Sequence, residues 1–166
     1  MLKKIAYFFF VLFAFLNVEK VDAQITKLSI VGIWMVGSPK TGSAFPAHYQ
    51  FFADGKFVYH VSEYDERKKL LTAGGTYSLD KGILKLLITY RTELVGGELV
   101  QGGAGFQQEE LVLEGGKAVK IMQKSKEPIE IQVESCNNKD GFICMKLQNN
   151  IYFRMSKNPN QTVFKQ

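Results

Sequence analysis

Apolar and polar residues alternate along most of this chain with a period of two, the spacing of a strand with one buried and one wet face. Ile129, Ile131 and Val133 interleave with Glu130, Gln132 and Glu134. Leu84, Leu86, Ile88 and Tyr90 interleave with Lys85 and Thr89, although Ile83 and Leu87 blur that run. Ile143, Met145 and Leu147, and then Ile151, Phe153 and Met155, alternate with Cys144, Lys146, Tyr152 and Arg154. Turn formers bound the runs at short intervals: Ala53-Asp54-Gly55, Asp80-Lys81-Gly82, Gly115-Gly116-Lys117, Asn137 to Gly141 and Asn149-Asn150. The pattern predicts strands over 30–36, 47–52, 57–64, 75–79, 83–90, 106–113, 117–123, 128–135, 142–148 and 151–156, and no amphipathic helix among them.

Hairpin connections make sequence neighbours antiparallel. The predicted fold class is therefore all-β: a single antiparallel up-and-down barrel of about 8–10 strands, because closure removes edges that would otherwise template aggregation. A two-sheet β-sandwich fits the same pattern. The first hairpin fixes a register. A three-residue loop Ala53-Asp54-Gly55, with Gly55 in the left-handed region, sets Phe51 against Phe57, Tyr49 against Tyr59 and Ala47 against Val61, gathering the aromatics on one inward face.

The first residues read differently. Met1-Leu2-Lys3-Lys4 is basic, Ile5 to Leu16 is an unbroken apolar run of 12 residues, and Val21-Asp22-Ala23 places small residues before Gln24. This is the layout of a cleaved secretory signal peptide over 1–23; the run is too short for a membrane-spanning helix, which needs about 20 apolar residues. The expected mature chain, 24–166, has 143 residues and forms one domain in a secreted or periplasmic, oxidising setting. The only cysteines are Cys136 and Cys144, so no N-terminal lipoprotein cysteine is present.

Composition adds little. Hydrophobic residues make up 46% and charged residues 22%, which excludes a disordered chain. The net charge of +5 falls to +4 without the leader and reads as solubility; no basic patch with interleaved aromatics points to nucleic acid.

Gly32-Ile33-Trp34 opens the first apolar segment and holds the only tryptophan. It is followed by Phe51-Phe52-Ala53-Asp54-Gly55-Lys56-Phe57, by Gly75-Thr76-Tyr77-Ser78-Leu79 and by Leu84-Lys85-Leu86. This succession, over residues 30–156, resembles small secreted bacterial lipocalin-like domain proteins of the calycin type. The resemblance implies a barrel closed at one end by Gly32 and Trp34, with Arg154 laid across the indole; Arg154 in water on the outer wall is the alternative. The chain departs from the family in having too few residues after 156 for a packed terminal helix, and a Gly- and Pro-bearing loop at 37–46 instead of a helical lid.

Candidate chemistry is sparse. Cys136 and Cys144 frame a short loop and are expected to form a disulfide on the outward face of a hairpin. His48 and His60 fall opposite one another on the outward side; two imidazoles without a third ligand make a weak metal site, so no metal and no cofactor is predicted. No Gly-x-Ser-x-Gly, His-Glu-x-x-His or phosphate-binding glycine loop occurs, which argues against an enzyme. Residues 91–108 hold five of the 15 glycines and read equally as a flap over a barrel mouth or as a long bulged hairpin.

The expected function is non-catalytic binding of a small apolar or amphipathic ligand inside the barrel. Its lining would be Tyr49, Phe51, Phe57, Tyr59, Leu86, Ile88, Ile131, Val133, Met145 and Phe153. Because a barrel of about eight strands is only just wide enough to be filled by its own side chains or to hold one small molecule, the alternative is a solid barrel acting as an envelope interaction or structural module through its outer loops.

Overall fold

The structure, a computed structural model, describes residues 27–37, 46–62, 69–101, 111–123, 127–136 and 141–161. The expected signal peptide, residues 1–23, lies outside the described residues. A single helical turn, α1 (Lys27–Ile30), precedes the strands β1 (Gly32–Val36), β2 (His48–Phe51), β3 (Lys56–His60), β4 (Leu70–Asp80) and β5 (Ile83–Val95). The strands β6 (Glu98–Gln101), β7 (Leu111–Glu114), β8 (Lys117–Met122), β9 (Ile129–Ser135), β10 (Cys144–Leu147) and β11 (Asn150–Ser156) follow.

Strands β1 to β5 form an antiparallel meander, β5 passes to β9, and β9, β10 and β11 return to β1. These eight strands close on themselves as a barrel, and closure satisfies the main-chain groups that an open sheet would leave at its edges. The sandwich alternative is thereby set aside. The meander is not uninterrupted: β6, β7 and β8 are an excursion, with β8 paired to the far end of β5 and β6 paired to β7. Residues 83–86 of β5 pair with β9, whereas 90–95 pair with β8. In its described part the glycine-rich connection is paired as a long hairpin.

The first hairpin carries the register its loop length demands. His48 faces His60, Tyr49 faces Tyr59, Gln50 faces Val58 and Phe51 faces Phe57. Phe52 N–H donates to Lys56 O at 2.9 Å, Gly55 N–H donates to Phe52 O at 3.1 Å, and Gly55 takes φ +84°, where a side chain is disfavoured.

Strand β4 starts at Leu70, not at residue 75 as the pattern suggested. Its Gly74-Gly75 pair lets β5 come close: a Cβ on Gly75 would stand 1.9 Å from Leu87 O, and the Tyr90 ring covers Gly74. A bulge in β5 accompanies that approach, with Gly74 facing Tyr90 and Gly75 facing Ile88.

The core fills one end. Ile30, Trp34, Phe51, Phe57, Leu84 and Met145 are essentially sealed from water, with Tyr77, Leu86, Ile131, Val133, Leu147 and Tyr152 packed around them. Trp34 Nε1 donates to Ile30 O at 2.6 Å, so α1 receives the one polar atom of the indole. Ile30, predicted as the first strand residue, belongs to this helical turn and plugs the barrel end.

Candidate functional site

The inward residues change character along the barrel axis. On β5 the exposure rises from 0% at Leu84 through 4% at Leu86 to a half-buried Ile88. On β2 and β3 it rises from sealed Phe51 and Phe57 to half-buried Tyr49 and Tyr59, and on β1 from Trp34 to Val36. On β9 it rises from Ile131 at 7% to Ile129 at 48%. Four separate stretches of wall thus agree that one end is closed and the other is open.

Tyrosines mark the transition. Tyr49 stands 4.6 Å from Tyr59 and 5.5 Å from Tyr152 between ring centroids, and stacks on Phe51 at 5.4 Å. Burial, with the neighbouring phenols Tyr152 and Tyr59 adding to it, pushes the Tyr49 hydroxyl far above its ordinary range, and burial raises Tyr152 to about 12. Tyr49 and Tyr152 therefore stay neutral across the physiological range, and with Tyr59 the group offers hydroxyls beside apolar ring faces. Below them Tyr77 meets Phe51 edge-on at 5.0 Å and donates its hydroxyl to Phe52 O at 2.8 Å.

Further toward the open end Arg91 sits opposite Ala73, on the inward parity of Tyr77, Gly75 and Ala73. Its Nε lies 2.6 Å from Glu93 Oε1, an ion pair at the base of the excursion.

Of the ten wall residues expected from sequence, Leu86, Ile131, Val133, Met145, Phe51 and Phe57 belong to the sealed core, while Tyr49, Tyr59 and Ile88 border the open half. Phe153 is a correction. It faces outward, opposite Met35 and Cys144, with Phe142 edge-on at 6.4 Å; the inward residue of β11 is Tyr152. The apolar series Ile151, Phe153, Met155 had suggested the opposite parity, but Trp34 pairs with Arg154 and so carries that alternate set inward. Tyr152 went unlisted as a wall residue because an amphipathic side chain on the otherwise polar parity of Asn150 and Arg154 does not read as buried, and Tyr77 is a further inward residue that the sequence reading did not list.

The Arg154 guanidinium lies 5.1 Å from the Trp34 ring, and burial lowers its affinity for its proton. Such a contact contributes about 0.5–2 kcal/mol. Gly32 lies where β1 meets the end of β11: a Cβ there would strike Ser156 O.

Cys136 and Cys144 form a disulfide with a Cα separation of 5.6 Å, joining β9 to β10 beside the outer ion pair Lys146–Glu134. A disulfide fits an oxidising environment. His48 and His60 stack in parallel, 4.4 Å apart with an 8° interplanar angle; His60 Nε2 contacts Gln50 Oε1 at 3.0 Å, and Gln50 Nε2 donates to Pro159 O at 3.1 Å. Among the described residues no three His, Cys, Asp or Glu side chains gather as a metal site, and no helix is long and apolar enough to cross a membrane. No family model matches the chain, and neither a curated protein nor a solved structure matches it.

Proposed function

We propose that this protein is a non-catalytic, exported binding protein of lipocalin-like architecture that holds a small apolar or amphipathic molecule in the open half of its barrel. The observation that carries this reading is the graded exposure of the inward wall. Sealed Phe51, Phe57 and Leu84 form a floor, and half-buried Tyr49, Tyr59, Val36 and Ile88 form sides that water reaches. Aromatic and aliphatic walls bearing a few hydroxyls suit a ligand with an apolar body and a polar group. The Gly-x-Trp opening with Arg154 against the indole supports the lipocalin-like assignment. The apolar leader at 5–16 and the disulfide support export.

The second reading, a solid barrel that works as an interaction module, draws on the filled closed half and on the outward Phe142, Ile143 and Ile151, each at least 40% exposed. One experiment separates the two. The full chain is extracted with organic solvent and titrated with an apolar fluorescent probe while Trp34 emission is followed. The binding reading expects a saturable response, weakened at least tenfold by Tyr59→Trp, which crowds the open half, and unaffected by Ile143→Ser on the outer surface. The absence of extracted ligand together with a linear, non-saturating probe response would replace it by the solid module.

A further inference from the structure

The bulge in β5 changes which of its side chains enter the barrel. Leu84, Leu86 and Ile88 face inward, and unbroken alternation would carry Tyr90 inward next and leave Arg91 in water. Gly75 faces Ile88 and Gly74 faces Tyr90, so Thr89 is the extra residue and the parity reverses. Tyr90 turns outward, where Lys120 Nζ lies 3.9 Å from its ring centroid. Arg91 turns inward, opposite Ile121 of β8. On that strand Val119 and Ile121 are half-buried, whereas Ala118, Lys120 and Met122 on the other face are exposed.

The register then sets Arg91 in a row across the inner wall. Tyr49 faces Tyr59, Tyr59 faces Ala73, and Ala73 faces Arg91. Two phenols stand on one side of the row and a guanidinium on the other, with only a methyl group between them. One level deeper, Gly75 carries no side chain between Phe57 and Ile88. The inner face of β4 is thus low between taller neighbours, and it leads from the sealed Tyr77 up to Arg91.

Among the described inward residues of the open half, Arg91 and Glu93 carry the charge. Glu93 lies two residues further out, opposite Leu70 and Val119, so the guanidinium is the deeper of the two. Arg91 Nε, 2.6 Å from Glu93 Oε1, is sealed from water yet makes no aligned hydrogen bond, while 42% of the side chain stays exposed. An ion pair of that exposure adds little stability, and a sealed donor without an aligned acceptor costs free energy. A bulge that re-aims an arginine into a mouth of apolar and phenolic side chains therefore fits recognition better than folding. The planar fork of a guanidinium matches a carboxylate or another oxyanion.

We infer that the ligand is an anionic amphiphile: its apolar chain lies along Ile88, Tyr59 and Tyr49, and its carboxylate or equivalent oxyanion is held by Arg91 near the rim. This rests on reading the open half as the ligand site and adds the chemical class of what enters it.

The test uses the full chain, without reductant, loaded with the neutral fluorescent probe N-phenyl-1-naphthylamine. Dodecanoate, dodecanol and dodecylammonium, which share a tail and differ in the head, compete for the probe below their micelle-forming concentrations. Dodecanoate is expected to displace it at a concentration about tenfold lower than either of the others. Arg91→Gln erases that preference and leaves the affinity for the neutral probe unchanged, whereas Arg91→Lys, which keeps the charge, retains part of it. Ala73→Glu, which sets a carboxylate opposite the guanidinium, erases the preference with Arg91 in place. Equal displacement by the three heads would overturn the inference, as would a carboxylate preference that survives Arg91→Gln. A preference for dodecylammonium would overturn it in favour of Glu93 as the anchor. Loss of the neutral probe together with the preference in Arg91→Gln would make Arg91 a structural residue and overturn it as well. In each of these cases the parent protein still binds the probe and the ligand site stands; an absence of saturable probe binding by the parent would overturn the site itself and the inference with it.

Discussion

His48 and His60 present parallel imidazole faces 4.4 Å apart, an arrangement that is comfortable only while at least one ring is neutral. Burial and the His48 ring beside it lower His60 to about 4 from its ordinary 6.5. The sign of the linkage follows. The unfolded chain takes up a proton near pH 6.5 that the folded chain refuses until about pH 4, so this residue's contribution is intact above pH 6.5 and is lost progressively down to pH 4. We expect the His60 ring signals to titrate with a midpoint near 4 and urea stability to fall across that window, with His60→Gln flattening the slope. A midpoint at 6 or above would contradict the stacked geometry. That pairing was legible in the sequence because a three-residue loop fixes register by counting. The inward face of β11 was not. Its apolar residues, Ile151 and Phe153, lie outside, while Tyr152 and Arg154 face Met145 and Trp34, partners a strand's own alternation cannot disclose.

At the level of elements, legibility depended on whether local pattern or a neighbour's approach decided the outcome. Strands such as β9, with Ile131 and Val133 sealed and Glu130, Gln132 and Glu134 exposed, announce their faces by alternation. The first half of β4 does not. Leu70 to Gly75 lacks a clean alternation, and its glycines answer to β5: one lies under the Tyr90 ring and the other against Leu87 O. Strand β6 was passed over because glycines flank it on both sides, although its pairing to β7 simply continues the ribbon's register. The close approach predicts a sharp asymmetry between two substitutions. Gly75→Ala puts a methyl within 1.9 Å of a backbone oxygen that no rotamer change can move, and is expected to cost at least about 3 kcal/mol in urea unfolding. Gly141→Ala meets nothing within 4 Å and bears only its φ of +78°, a cost of about 1 kcal/mol. Equal losses at the two sites would mean that β4 and β5 have room to separate.

For the whole molecule the question is how the barrel and the excursion divide the work. The closed half is sealed by residues from α1, β1 to β5, β9, β10 and β11, and among the described residues none of its sealed side chains comes from β6, β7 or β8. The disulfide likewise ties barrel strands to each other. If burial of apolar surface is what stabilises the fold, the outer hairpin contributes little to it and is free to serve function. Replacing residues 96–116 by Asn-Gly tests this directly. Val95 and Lys117 are directly opposed, and a two-residue loop of that composition closes an antiparallel pair with the required twist. The shortened protein is expected to keep its barrel, with unfolding free energy within about 0.5 kcal/mol of the parent, the scale of a surface change that removes no buried contact. Probe binding, followed through Trp34, is expected to be unchanged, since the floor and sides of the site, Phe51, Phe57, Leu84, Tyr49, Tyr59 and Ile88, all lie on retained strands. A loss of several kcal/mol would instead make the hairpin part of the folding core, and weakened probe binding by a stable barrel would give it a part in holding the ligand.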